Sequence, residues 1–193
     1  MTNHLGVASD TARDTARDTA REASRDTTRG SLRETMARFA TGITVLTTGG
    51  ERVHGMTANA FSSVSLEPPL VLCCVARSAV MHEAITATRS FAVSVLGGEQ
   101  EHLARYFADR SRPHGAAQFG GVDWRPGPFT GAPLLSDSLA WLECKLTEQY
   151  DGGDHSIFLG EVLATGRTGG RQALLFYDGR YHRVAHQGTE ETG

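Results

Sequence analysis

No run of this chain approaches the roughly eighteen apolar residues that a membrane-crossing helix needs, and no signal-type apolar region stands near its start. The N-terminal stretch is rich in Arg and Thr, but its matching acids argue against a mitochondrial transit peptide. Cysteine is scarce. Of the three present, Cys73 and Cys74 are adjacent, and neighbours on a strand point to opposite faces, so they are not expected to bridge. With Cys144 they read as small buried hydrophobes. No CxxC and no Cys/His spacing suits zinc, so no metal site is expected, and a reducing cytoplasm is the expected location. A strong charge of one sign is missing too. A net charge of −3 gives no reason to expect nucleic acid or an anionic membrane as a partner. GxGxxG, Walker A, HExxH and GxSxG patterns are all absent. If the chain is an enzyme, the difficult chemistry is therefore expected to belong to a cofactor.

What is present begins with a tail. Residues 8–29 carry a four-residue repeat, TARD-TARD-TARE, followed by a looser SRDTTR. On a helix, Asp14 and Arg17, Asp18 and Arg21, and Glu22 and Arg25 would pair at i,i+3, at only a few tenths of a kcal/mol each. The repeat has no apolar stripe beyond its alanines. Residues 1–30 are therefore expected to be a low-complexity, disordered or marginally helical tail, residues 31–187 the domain, and residues 188–193 a disordered C-terminus.

Ser31 to Glu34 reads as a capping box opening a helix with Leu32, Met36 and Phe39 on one side, ended by Gly42. Strand-like segments follow at 43–48, from Val53, at 70–76 (fully buried in this reading) and at 91–96. Further strands are predicted at 138–150 and 155–167, with a hairpin over 173–184 turning at Asp178-Gly179. Two short helices are predicted, one capped by Ser78 and one over 99–110. Between them and the later strands lies a long Gly- and Pro-rich connection, 111–133, of the kind that often covers a site. Short strands with few isolated helices fit a closed or partly closed antiparallel barrel better than an alternating βαβ sheet.

Two stretches carry chemistry. VHGMTANAFSSVSLEPP, residues 53–69, offers Thr57, Asn59, Ser62, Ser63 and Ser65 within a short span that also holds Ala58 and Val64. Hydroxyls, an amide and backbone N–H groups so grouped can hold a flat polar ligand bearing a phosphate, although a plain Ser/Thr-rich turn has the same composition. GGDHSIFLGE, residues 152–161, sets His155 at the mouth of a strand behind two glycines, with Asp154 placed to orient it.

Together with FAVSVLG, EHLARYFA and ALLFYDGRYHR, these stretches resemble the short-chain flavin reductases, which supply reduced flavin to two-component monooxygenases; the likeness runs from about Leu32 to Arg183. The resemblance implies a mainly β, Greek-key split β-barrel with a few flanking helices, assembled as a homodimer that holds flavin near its interface. By matching position it implies that Thr57, Ala58, Asn59, Ser62, Ser63, Val64 and Ser65 contact the flavin. Ala76, Arg77 and Ser78 would clamp its phosphate, and Tyr181 would border the pocket, where core packing is the alternative. It implies that His155, supported by Asp154, positions the nicotinamide. The expected cofactors are FMN or FAD with NADH or NADPH as hydride donor, and the expected partner is a flavin-dependent monooxygenase. Two other readings use the same residues: a non-catalytic flavin-binding or carrier module, and a split-barrel oxidase acting with bound FMN and oxygen.

Overall fold

The computed structural model describes residues 7–170 and 172–185. It divides into two compact units, Met1–Ala40 and Thr41–Gly193. The first holds one long helix, α1 (Val7–Met36). Ser31 lies inside this helix and caps nothing. Upstream of Gly30 the sequence offers Ala, Arg and Glu without proline, and a helix already nucleated propagates through a single glycine at a cost of about 1 kcal/mol. Thr27 and Thr28 donate their hydroxyls back to the Ala23 and Ser24 carbonyls at 2.9 Å. Leu32, Met36 and Phe39 stand exposed. Side chains of the repeat before Glu22, and residues 188–193, lie outside the described residues.

The second unit is mainly β. Its strands are β1 (Thr41–Gly42), β2 (Thr44–Thr48), β3 (His54–Ala58), β4 (Phe61–Leu66), β5 (Pro69–Ala76) and β6 (Ser90–Val95), then β7 (Trp124–Pro126), β8 (Pro133–Leu135), β9 (Ala140–Gly152), β10 (His155–Arg167), β11 (Gln172–Tyr177) and β12 (Arg180–Ala185). Helix α2 (Val80–Thr88) follows β5, and α3 (Glu101–Ala108) follows β6. Gly42, expected to stop a helix, is in β1.

Seven strands form one antiparallel sheet in the order β3-β2-β6-β9-β10-β5-β4, beside a three-stranded sheet β1-β11-β12 and the ribbon β7-β8. The large sheet is open, with β3 and β4 as its edges; among the described residues no strand ladder closes it into the expected barrel. Asp178 and Gly179 both take positive φ, 50° and 74°, which suits the tight β11–β12 turn read from their sequence.

β2 shows how the core is built. All five of its residues are buried, with Leu46 in one apolar cluster beside Met81, Ile85, Phe91 and Phe158, and Val45 in a second beside Leu96, Phe107 and Leu174. A strand covered on both faces must also satisfy its hydroxyls. Thr44 donates to the Ala58 carbonyl at 2.8 Å, Thr47 to Pro133 at 2.7 Å and Thr48 to Arg52 at 2.6 Å. In β10, Gly160 leaves room for the buried Phe91 ring, which a Cβ there would meet at 2.7 Å.

β5 corrects one expectation. Its residues alternate instead of being buried throughout: Val71, Cys73 and Val75 enter the core, while Cys74 and Ala76 face a cleft. An apolar run can serve a core on one side and a ligand-sized opening on the other, and periodicity does not distinguish the two. Burial pushes the Cys73 thiol far up and the Cys144 thiol up to about 12, so both are inert hydrophobes.

Candidate active site

The cleft has a volume of about 470 Å³ and is built by β3, β5, the start of α2, the end of α3 with the connection after it, and the first residue of β10. Its small-residue lining comes from Ala58, Ala60, Ala76 and Ala79, and its polar groups include Thr57, Asn59 and Ser78. Alanine-sized walls leave room for a flat ring, and the three polar side chains can partner polar edge groups. Thr57 donates its own hydroxyl to the Ala104 carbonyl at 2.7 Å, tying β3 to α3 and leaving its oxygen lone pairs to accept.

His155 opens β10, opposite Ala76 of β5 and Gly152 of β9. Its Nδ1 lies 2.8 Å from Asp154 Oδ1. A carboxylate only accepts, so Nδ1 carries the proton, and in the neutral ring Nε2 keeps its lone pair. The turn that presents this pair is fixed from behind. Asp151 Oδ1 accepts the Gly153 N–H at 2.9 Å and takes an ion pair from Arg77 Nη2 at 2.6 Å, while the Arg77 N–H donates to the Asp154 carbonyl at 3.0 Å. The Gly153 N–H and Arg77 together hold the Asp151 carboxyl below its usual range. Gly153 sits at φ +79°, a conformation open to glycine.

Thr57, Ala58, Asn59, Ala76, Ser78 and His155 are thus brought together around the cleft. The other expected residues lie elsewhere. Ser62, Ser63, Val64 and Ser65 are on edge strand β4, where the register shifts between Ser63 and Ser65. There the Ser62 hydroxyl donates to the Ser63 carbonyl, and Ser65 accepts from Glu67. Arg77 is engaged by Asp151, and Asp154, which is outside the cleft lining, bonds His155. Tyr181 packs with Phe176 in the second cluster under the Arg105 guanidinium, and burial raises its phenol pKa.

Sequence reasoning missed the opposite contribution. Phe107, on the apolar face of α3, lies in the core and also borders the cleft. His54, Arg110, Arg112 and His114 line the cleft as well; Arg112 and His114 come from the connection singled out by its length, and Arg110 stands just before it. The signal was the alternation Arg110-Ser-Arg112-Pro-His114 that leads into it.

Gln118 and Arg112 dock this connection. Gln118 Oε1 accepts the Gly55 N–H at 2.9 Å, and its Nε2 donates to the Gly115 carbonyl at 2.8 Å. Arg112 donates to the Gly55 carbonyl and to that of Asp109. These side chains bond both main-chain polar groups of Gly55 on edge strand β3, where a neighbouring strand would otherwise do so. His54 lies between them, with Gln118 Nε2 3.3 Å from its Nδ1 and Arg112 Nη2 3.3 Å from its Nε2. Both ring nitrogens face donors, and burial with Arg112 and His114 nearby pushes the His54 pKa down to about 4.

A match to the model of the "Flavin reductase like domain" family covers residues 36–185. The chain is 53% identical over 159 residues to an NADH-dependent FAD reductase of Streptomyces globisporus, covering 82% of this chain and 87% of that protein. Among solved structures, BorF, the flavin reductase component of a bacterial two-component tryptophan halogenase, superposes with a TM-score of 0.79 at 46% identity, over 82% of this chain and 99% of that one. The Streptomyces globisporus NADH:FAD oxidoreductase SgcE6, in complex with NAD and FAD fragments, gives 0.78 at 50% identity, over 83% and 95%. On these grounds, and with the expected motifs meeting at one cleft, the chain belongs to the flavin reductase like domain family.

Proposed function

We propose that this chain is an NADH-dependent flavin reductase that reduces FAD or FMN and releases it to a separate flavin-dependent oxygenase. The observation that carries the reading is the meeting of a narrow, alanine-walled cleft with an oriented His155–Asp154 pair at its edge. The chemistry supplied by the two cofactors, when bound, is hydride transfer from nicotinamide C4 to flavin N5.

The chain's own work is positional. Thr57, Asn59 and Ser78 hold the edge groups of one ring, and the alanines set the spacing that admits it. His155 offers Nε2 as an acceptor to the amide N–H₂ of a carboxamide, and Asp154 keeps the ring in the tautomer that does so. Ser62, Ser63, Val64, Ser65 and Tyr181 belong to the reading as residues that come near ligand in the assembled protein, not in the isolated cleft.

A homodimer and closure of the strands into a split barrel complete the proposal. The exposed Val64 and Leu66 on edge strand β4 support the dimer. The absence, among the described residues, of a helix long and apolar enough to cross a membrane is compatible with a cytoplasmic site of action. The reductase subunits of flavin-dependent monooxygenases among the chain's relatives support an oxygenase as the receiver of reduced flavin.

The deciding experiment is NADH consumption by the purified chain with and without FMN, FAD or riboflavin, repeated with NADPH. Flavin-dependent, saturable oxidation of NADH is expected. Flavin binding with no turnover of either nucleotide would leave a carrier module, and peroxide formed in proportion to an organic substrate would make it an oxidase.

A further inference from the structure

We infer that Arg110 and Arg112 form the subsite that takes the phosphate or diphosphate oxyanions of the ligands, a role the sequence had suggested for Arg77. The inference rests on the reductase reading. Arg110, Arg112, His54, His114 and His155 line the cleft, and no carboxylate does, in a chain whose net charge is −3.

Three arginines elsewhere in the unit are paired with carboxylates: Arg77 with Asp151, Arg105 with Glu101 and Arg183 with Glu99. Among the described residues, neither Arg110 nor Arg112 makes an ion pair. Arg112 is held by the carbonyls of Gly55 and Asp109, which fix its guanidinium without cancelling its charge. The adjacent Asp109 carboxylate is not part of the lining, and both the N–H and the hydroxyl of Ser111 bond its Oδ1 at 2.8 Å. His54 is held neutral, so it adds no second fixed charge beside Arg112.

Asp109 acts on Arg112 electrostatically without an ion pair, and a preorganised guanidinium with a second, exposed arginine two residues away suits an oxyanion with several acceptor atoms. Two phosphate sources share this chemistry, the flavin's and the nicotinamide dinucleotide's, and binding measurements separate them.

The test uses the full chain and its Arg110→Gln and Arg112→Lys variants, with Arg180→Gln in the β11–β12 hairpin as a charge-matched control. Flavin fluorescence quenching gives Kd for riboflavin, FMN and FAD; calorimetry gives Kd for NAD+. One lost charge-assisted hydrogen bond corresponds to a weakening of about tenfold or more. Weakening of FMN and FAD, with riboflavin and NAD+ unchanged, assigns the subsite to the flavin. Weakening of NAD+ with all three flavins unchanged assigns it to the dinucleotide.

The inference is overturned if no ligand weakens, if riboflavin weakens as much as FMN, or if Arg180→Gln does the same. Arg110→Gln, at an exposed position outside the docking bonds, keeps the test decisive should Arg112→Lys misfold. A wild type that binds these ligands but never oxidises NADH would end the reductase reading, while the comparison of binding constants would still judge the arginines.

Discussion

At the scale of single residues, two histidines have opposite lots. His155 is half-exposed, with one nitrogen committed to Asp154 and the other available to a ligand. Its loss should cost orientation more than chemistry: His155→Ala is expected to raise the KM for NADH about tenfold while kcat falls less than about threefold, as steady-state kinetics can show. His54 is only 6% exposed, and its two nitrogens face donors. Its pKa is depressed from 6.5 to about 4, so between those values the unfolded chain binds a proton that the folded one refuses. The stability it allows is complete above pH 6.5 and is lost as pH falls towards 4, by a sum on the order of 3 kcal/mol. Urea denaturation across that range should show a shallower pH slope for His54→Gln than for the native chain, because an amide has no proton to take up. A further carboxylate, Glu143, is fully buried yet has no role in the cleft: its Oε1 accepts from the Phe129 and Thr130 N–H groups and the Thr130 hydroxyl, holding the β7–β8 loop.

At the scale of elements, local signals read the strands well and the helix ends poorly. The strands at 155–167 and 91–96 and the Asp178-Gly179 hairpin emerge close to where their composition put them, because alternation and turn chemistry are local facts. The capping box at Ser31 failed because capping is a competition: a good terminus is not used when the residues before it already sustain a helix. Arg77 was read from its neighbourhood in sequence, yet its partner Asp151 comes from a different strand, which no local pattern reports. The α3–β3 contact is equally silent in sequence. Gly55 lies against Phe107, and a Cβ there would stand 2.6 Å from the ring. Phe107 is fully buried and packs against Phe119, so making room for a methyl there disturbs the core. Gly55→Ala should therefore destabilise the fold by about 1–3 kcal/mol, seen as a melting temperature lowered by several degrees.

At the scale of the whole molecule, the two units divide the labour. The family match begins at residue 36, and the cleft draws every one of its lining residues from the second unit. Removal of residues 1–29 is expected to leave the KM for NADH and flavin-dependent turnover within about twofold of the full chain, as paired kinetic assays would record. The half of the site on β3, β5 and β10 was legible because its residues are contiguous motifs; the arginine side was not, because His54, Arg112 and Gln118 meet only after the connection folds back on the sheet. That folding back has a second meaning. Gly55 offers its N–H and carbonyl outward from an edge strand, and side chains of the cleft-lining connection occupy both. A loop that lifted to release a ligand would bare a strand edge able to recruit a strand from another molecule. Colloidal stability is thereby tied to the few bonds that keep that edge covered.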